Sequence, residues 1–129
     1  MSNQVNLIGN IVSDFTYSHA LYGETFYNVT LCVKRDSGNV DLVPLLISDR
    51  LIDANIEYKY VYVTGEFRSY NQHDEDKNRL KLYVFVNSMV EVEPTKGVND
   101  VYLEGYICKP PSYRQTPLGR EICDIMLAV

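Results

Sequence analysis

Hydrophobic alternation with a period of two runs through nearly the whole chain and leaves little room for helix. Over Asn3–Val12 the residues Val5, Leu7, Gly9 and Ile11 alternate with Asn6, Ile8 and Asn10. Over Phe26–Lys34, Tyr27, Val29, Leu31 and Val33 alternate with Asn28, Thr30 and Cys32. Lys59–Arg68 sets Val61, Val63, Gly65 and Phe67 against Tyr60, Tyr62 and Thr64, and Arg79–Val90 sets Leu80, Leu82, Val84 and Val86 against Lys81, Tyr83 and Phe85. Successive strand side chains point to opposite faces, so each stretch offers one apolar face to a core and a mixed face outward. Val40–Ile47 is a shorter apolar run whose Pro44 lacks a donor and favours an edge or a bulge. Five strands result.

The one helical candidate is Ser48–Ala54, where Ser48 or Asp49 can cap one or two turns carrying Leu51 and Ile52. Asn71–Asn78 (NQHDEDKN) reads as a polar loop between the fourth and fifth strands. Five strands with a short helix between the third and fourth is the order of an OB-fold, a small Greek-key barrel. A five-stranded sandwich fragment or an SH3-like barrel also fits the alternation; the helix position favours the OB-fold.

A repeat extends this reading. Residues 3–33 lie over 99–129 without a gap, at an offset of 96, and nine of 31 positions are identical: Asn3, Val5, Leu7, Gly9, Ile11, Tyr17, Gly23, Leu31 and Val33 with their counterparts. The strand matches fall on one parity, as two copies of one buried face would, while Asn6/Tyr102, Ile8/Glu104 and Asn10/Tyr106 differ. The expected organisation is a complete OB-fold at 1–90, a linker at 91–98 and, at 99–129, strands 1 and 2 of a second repeat. Two strands cannot close a barrel and a lone hairpin is marginal. Either the second copy belongs to a longer tandem protein, or it pairs with another chain or with the first domain.

Composition narrows the class. No stretch approaches an apolar membrane span, and the start (MSNQVNLIGN) has no basic leader region, so a cytoplasmic protein without a membrane partner is expected. Cys32, Cys108 and Cys123 show no CxxC spacing, which suggests neither a disulfide framework nor a zinc site. No phosphate loop, HExxH motif or nucleophile–His–carboxylate spacing is present, and the expectation is a non-enzyme with no cofactor. His73-Asp74-Glu75-Asp76 reads as a solvated loop tip, and His19 as isolated. The net charge of −5 supplies no polybasic arm, while eleven Tyr, four Phe and no Trp suit strands and surfaces that grip something flat.

At 99–129 the residues Asn99-Asp100-Val101 through Gly105, then Tyr113-Arg114-Gln115-Thr116-Pro117-Leu118-Gly119, then Leu127-Ala128-Val129 closely resemble the amino-terminal signature of bacterial single-stranded DNA-binding proteins. Residues 3–33 keep the frame at Asn3, Val5, Leu7, Gly9, Asn10 and Gly23, and Val63-Thr64-Gly65-Glu66-Phe67-Arg68 and Tyr83-Val84-Phe85-Val86-Asn87 resemble the family's fourth and fifth strands. Primosomal protein N, a relative in the same superfamily, is similar almost as closely. The resemblance implies an OB-fold that binds single-stranded DNA without sequence preference, in replication, repair or recombination, as a dimer or tetramer. It implies bases stacked on aromatic rings and basic side chains along the phosphates. The family's tryptophans are absent here: two of its aromatic positions fall near Leu42 and Ser48, and Tyr70 stands in for the loop aromatic after the fourth strand.

Phe26 and Tyr70 are therefore the candidate stacking residues, with Tyr22 a lesser one. Lys34, Arg35, Arg68, Arg79 and Lys81 are candidate phosphate contacts in the first copy, and Arg114 and Arg120 in the second. Tyr60, Tyr62 and Tyr83 are expected to face outward and to suit an oligomer interface better than DNA. A second reading keeps the chain as an interaction module of a primosome or replication-restart complex, with weak DNA binding and a replication protein as partner.

Overall fold

Alternation becomes pairing in the computed structural model, which describes residues 2–129 apart from the side chain of Asp74. The first part comprises β1 (Asn3–Ile11), β2 (Thr16–Leu21), β3 (Glu24–Lys34), β4 (Val40–Ser48), a single 3₁₀ turn (Asp49–Leu51), β5 (Tyr60–Asp74) and β6 (Lys77–Glu91). β1 pairs antiparallel with β5 from Val5↔Gly65 to Asn10↔Tyr60, and its far end crosses to β3 at Asn10↔Cys32 and Ile11↔Leu31. β5 pairs with β6, β3 pairs with β4, and β4 runs parallel to β6 through Leu45↔Val84 and Leu46↔Phe85. Those five pairings close a ring, which is the OB-fold barrel.

One parity of each strand fills the barrel. Val5, Leu7, Val29, Leu31, Val33, Leu45, Ile47, Val61, Val63, Val84 and Val86 are all buried in a single cluster. Each such side chain contributes about 1.5–3 kcal/mol on leaving water, and a one-residue slip of any strand would turn its whole set outward. Closure brings β1 so near β3 that a Cβ on Gly9 would lie 2.2 Å from the Cys32 carbonyl oxygen. Only glycine fits there.

One strand is added to the five expected, and two local expectations are corrected. Thr16–Leu21 forms β2, although most of it is exposed and shows no alternation; it is held by pairing with β3, with a bulge between Tyr17 and His19. The stretch 71–78 is not a loop, because β5 and β6 continue as a paired arm through Asn71↔Leu80, Gln72↔Arg79 and His73↔Asn78. That arm reaches past the core, so both its faces are wet and polar residues carry no strand period. The turn falls at Glu75, whose φ is 43°. The helix predicted over Ser48–Ala54 shrinks to one turn, capped by Ser48 Oγ accepting from the Arg50 N–H at 3.3 Å, because Ile52 is already extended.

The chain divides into two compact units, Gln4–Val101 and residues 2–3 with Tyr102–Val129. β7 (Val98–Leu103) crosses that boundary, and the second unit holds β8 (Tyr106–Ile107), β9 (Ser112–Gln115), β10 (Glu121–Asp124) and β11 (Leu127–Ala128). Its pairings repeat those of the first unit at the same offset of 96. Leu127↔Ile107 and Ala128↔Tyr106 match Leu31↔Ile11 and Cys32↔Asn10, and Cys123↔Tyr113 and Asp124↔Ser112 match Tyr27↔Tyr17 and Asn28↔Thr16. A Cβ on Gly105 would lie 2.1 Å from the Ala128 carbonyl oxygen, as Gly9 does against Cys32. What differs is cover: Leu103, Leu127 and Val129 are exposed where Leu7, Leu31 and Val33 are buried.

Candidate functional site

The pairing register decides which side chains meet on the outside of the barrel. Because the core takes Val29, Leu31, Leu45, Ile47 and Val84, the other parity puts Asn28 beside Leu46 and Leu46 beside Phe85. Further along the arm it sets Tyr83 opposite Arg68 and Lys81 opposite Tyr70. A cleft of about 690 Å³ opens over this face. Its floor is Asn28, Pro44 and Leu46, one wall is Ser18 and His19 from β2, and the other is Tyr70, Gln72, Lys81, Leu82 and Tyr83 from the arm.

Aromatic rings dominate its chemistry. Tyr70 is half exposed, and its ring lies 5.8 Å from that of Tyr83 at 57°. Below them Phe26 and Phe85 lie 6.0 Å apart, and the Arg68 guanidinium sits 3.8 Å over the Phe85 ring. The imidazole of His19 is stacked on Phe26 at 4.9 Å and 13°. Tilted and stacked rings of this kind leave π-faces and edges open to a planar guest.

Charge in the cleft is sparse. Lys81 has no ion pair among the described residues, whereas Arg68 is held by Glu66. At the end of Phe26 remote from the arm, the Ser48 hydroxyl donates to Glu24 and Arg50 Nε donates to the same carboxylate at 2.9 Å. The Ser48 hydrogen bond and then the Arg50 guanidinium, against some desolvation, hold the Glu24 carboxyl below the usual range. No group of three or more His, Cys, Asp or Glu among the described residues is placed to hold a metal ion. The predicted loop cluster 73–76 includes the Asp74 side chain, which lies outside the described residues.

Of the sequence candidates, Tyr70 and Lys81 come together in the cleft. Phe26 needs correction: it is only 7% exposed, because β2 folds His19 over a ring that alternation placed in solvent. Arg68 backs the floor through Phe85. Arg79 is exposed further out on the arm, opposite Gln72. Lys34 and Arg35 lie at the end of β3 away from the cleft, and Arg35 Nε donates to both oxygens of Asp41 at 2.9 Å. That hydrogen bond raises the guanidinium pKa and lowers that of Asp41, which also accepts from Asn99 Nδ2 at 2.7 Å. Arg114 and Arg120 belong to the second unit, where Arg114 pairs with Asp124 at 2.8 Å and Arg120 closes the turn at Thr116 through its backbone N–H.

His19, which reads as isolated in the sequence, and Tyr83, expected at an oligomer interface, both line the cleft. The signal for Tyr83 was available: folding Arg68 and Tyr70 back across the turn at Glu75 sets Tyr83 and Lys81 opposite them. Tyr60 and Tyr62 are half-buried elsewhere, donating to the Thr95 carbonyl at 2.6 Å and to Asn6 Oδ1 at 3.3 Å.

No family model matches the chain, and no curated protein matches it. Solved structures do. The amino-terminal domain of PriB protein from Thermoanaerobacter tencongensis, described as dimeric, is 37% identical, with a TM-score of 0.61 over 71% of this chain and 98% of that domain. The single-stranded DNA binding protein from Thermus aquaticus is 20% identical, with a TM-score of 0.79 over 99% of this chain and 68% of that one. A deletion mutant of it gives 21% and 0.74, over 99% of this chain and 69% of that one. The Thermus likenesses speak for the fold alone, whereas the PriB identity spans nearly a whole domain. The chain belongs to the family of the PriB amino-terminal domain, and it shares the fold of the Thermus single-stranded DNA binding protein.

Proposed function

We propose that this protein binds single-stranded DNA without sequence preference, in the cleft between β2 and the β5–β6 arm. The observation that carries the reading is that Tyr70, Tyr83 and Lys81 of the β5–β6 arm line one cleft with Asn28, Pro44 and Leu46 on the outer face of β3 and β4. These are the second and third strands of the five-stranded barrel, the face on which OB-folds take oligonucleotides. Bases stack on Tyr70 and Tyr83, each contributing about 1–3 kcal/mol, and phosphates run along Lys81 and Arg79. Phe26 and Arg68 support the floor rather than touch DNA. In the first unit Lys34 is available for a longer strand, while Arg35 would first have to leave its carboxylate; in the second unit, taken by itself, Arg120 is available and Arg114 would have to leave Asp124.

The binding is non-enzymatic, needs no cofactor and serves replication, repair or recombination in the cytoplasm, by a dimer or tetramer. The dimeric PriB domain supports self-association. Residues 99–129 are the first strands of a second barrel repeat, after a complete domain at 1–90 and a linker at 91–98. A titration of labelled oligo(dT) against salt tests the reading. With two cations on the phosphates, log K should fall with log salt at a slope of about −1.4. Absence of binding at low salt overturns it.

The interaction-module reading is favoured by Leu80 and Leu82, which are exposed on the arm. Substituting Leu80, which lies outside the cleft lining, by Ser while oligo(dT) affinity holds, and a replication protein otherwise co-purified is lost, would support it.

A further inference from the structure

Resting on the DNA-binding reading above, we infer that His19 is a nucleotide contact of the cleft, a stacking platform whose protonation tightens binding. Two observations carry this. The imidazole is exposed and lines the cleft wall facing Tyr70, Tyr83 and Lys81. One face of it is already fixed on the buried Phe26 ring at 4.9 Å and 13°, and its Nδ1 is hydrogen-bonded to Ser18 Oγ at 2.9 Å. A ring held on one face by another ring, and pinned at one nitrogen, loses little freedom when a base stacks on the other face. The buried Phe26 thus acts through His19: the pair forms a two-ring stack whose outer member meets the ligand.

The chemistry of that outer member separates it from Tyr70 and Tyr83. An imidazole changes charge within the range where proteins work, and its cationic form attracts phosphate and stacks as a cation on a π-face. The surroundings let that charge act. On its own strand the nearest groups are Tyr17 and Ser18, and from the arm Lys81 and the two tyrosines face the cleft. Glu24 on β3 is committed to Ser48 and Arg50, and Glu66 on β5 to Arg68. Among the described residues of the cleft lining there is no carboxylate that would capture the protonated ring. Lys81 is the one cation there, so a second charge adds to it at the phosphates.

The test is oligo(dT) titration by the full chain at pH 5.5 and pH 8, at two salt concentrations, for the wild type and for His19→Phe, His19→Ala and His73→Gln. The wild type should bind more tightly at pH 5.5, by about three- to tenfold, with a salt slope steeper by about 0.7. His19→Phe should lose the pH response and, because a ring still stacks on Phe26, keep more affinity at pH 8 than His19→Ala does. His19→Ala should lose the pH response and also about tenfold in affinity at pH 8. His73→Gln, which removes the chain's other histidine from the outer arm, should keep the response. A pH response that survives in both His19 variants, or pH 8 affinity unchanged in His19→Ala, overturns the inference while leaving DNA binding intact. Failure of the wild type to bind at either pH overturns the DNA-binding reading itself. Circular dichroism melting of each variant separates loss of contact from loss of fold.

Discussion

The rings of Tyr70 and Tyr83 lie 5.8 Å apart, tilted at 57°, although the turn of the β5–β6 arm separates them in sequence. Each is thereby positioned partly by the other. Tyr70→Ala and Tyr83→Ala should each weaken oligo(dT) binding by about tenfold, within the range for one stacked base. The double variant should lose less than the product of the two, because neighbours that share a contact do not act independently. Fluorescence titration checks both, and a strictly multiplicative loss would show that the rings act as separate platforms.

Phe26→Ala is expected to act chiefly on stability. Removing a buried aromatic ring costs about 3–5 kcal/mol, and His19 would lose its support. Urea unfolding followed by circular dichroism should show a midpoint well below wild type. Undiminished stability combined with weaker DNA binding would mean that Phe26 meets the bases directly.

Gly9→Ala should destabilise the barrel by about 3 kcal/mol, because the new methyl would stand 2.2 Å from a backbone oxygen that closes the ring. A substitution at Gly23, with φ of 79° and open space around it, costs through backbone strain alone and should be milder, about 1 kcal/mol. Thermal melts of the two variants distinguish them by order.

Acid should weaken the fold through Asp41 and Glu24. Asp41 is held below the usual carboxylate range by the Arg35 hydrogen bond, and Glu24 by that of Ser48 and then by Arg50. A lowered folded-state pKa gives stability that is present above the unfolded value and lost as pH falls through the folded one, so the loss begins near pH 4 and continues below it. Both pairs are largely solvated, and the effect is modest. Asp41→Asn should flatten the acid limb of a plot of melting temperature against pH; an unchanged limb would show that the pair does not couple to folding.

The barrel core was legible because burial imposes a period. Val5, Leu7, Val29, Leu31, Val61, Val63, Val84 and Val86 alternate, and any other register would expose them. β2 and the outer arm were not legible for the opposite reason. Their side chains are largely solvated, so only backbone pairing selects the strand, and Thr16–Leu21 or Asn71–Asn78 carry no pattern of it. Phe26 was misjudged from the same gap, since its cover comes from β2. Tyr70 and Lys81 were singled out in the sequence, but that they line one cleft with His19 and Tyr83 was not legible there.

By itself the sequence determined a closed β architecture, the residues that fill it apart from Leu80 and Leu82, which share the parity of Val84 and Val86 but stay exposed on the arm, the glycine where β1 meets β3, and a second copy of its first strands 96 residues on. Those follow from local chemistry: alternation, the size of one side chain, and repetition of both. Only the tertiary structure decided which outward residues share a cleft. It brought His19 over Phe26, set Tyr83 beside Tyr70, engaged Arg68 with Glu66, and left Lys81 without an ion pair among the described residues. A surface site is made by strands distant in sequence, and the parity that fixes each residue's face says nothing about which neighbour will stand opposite it.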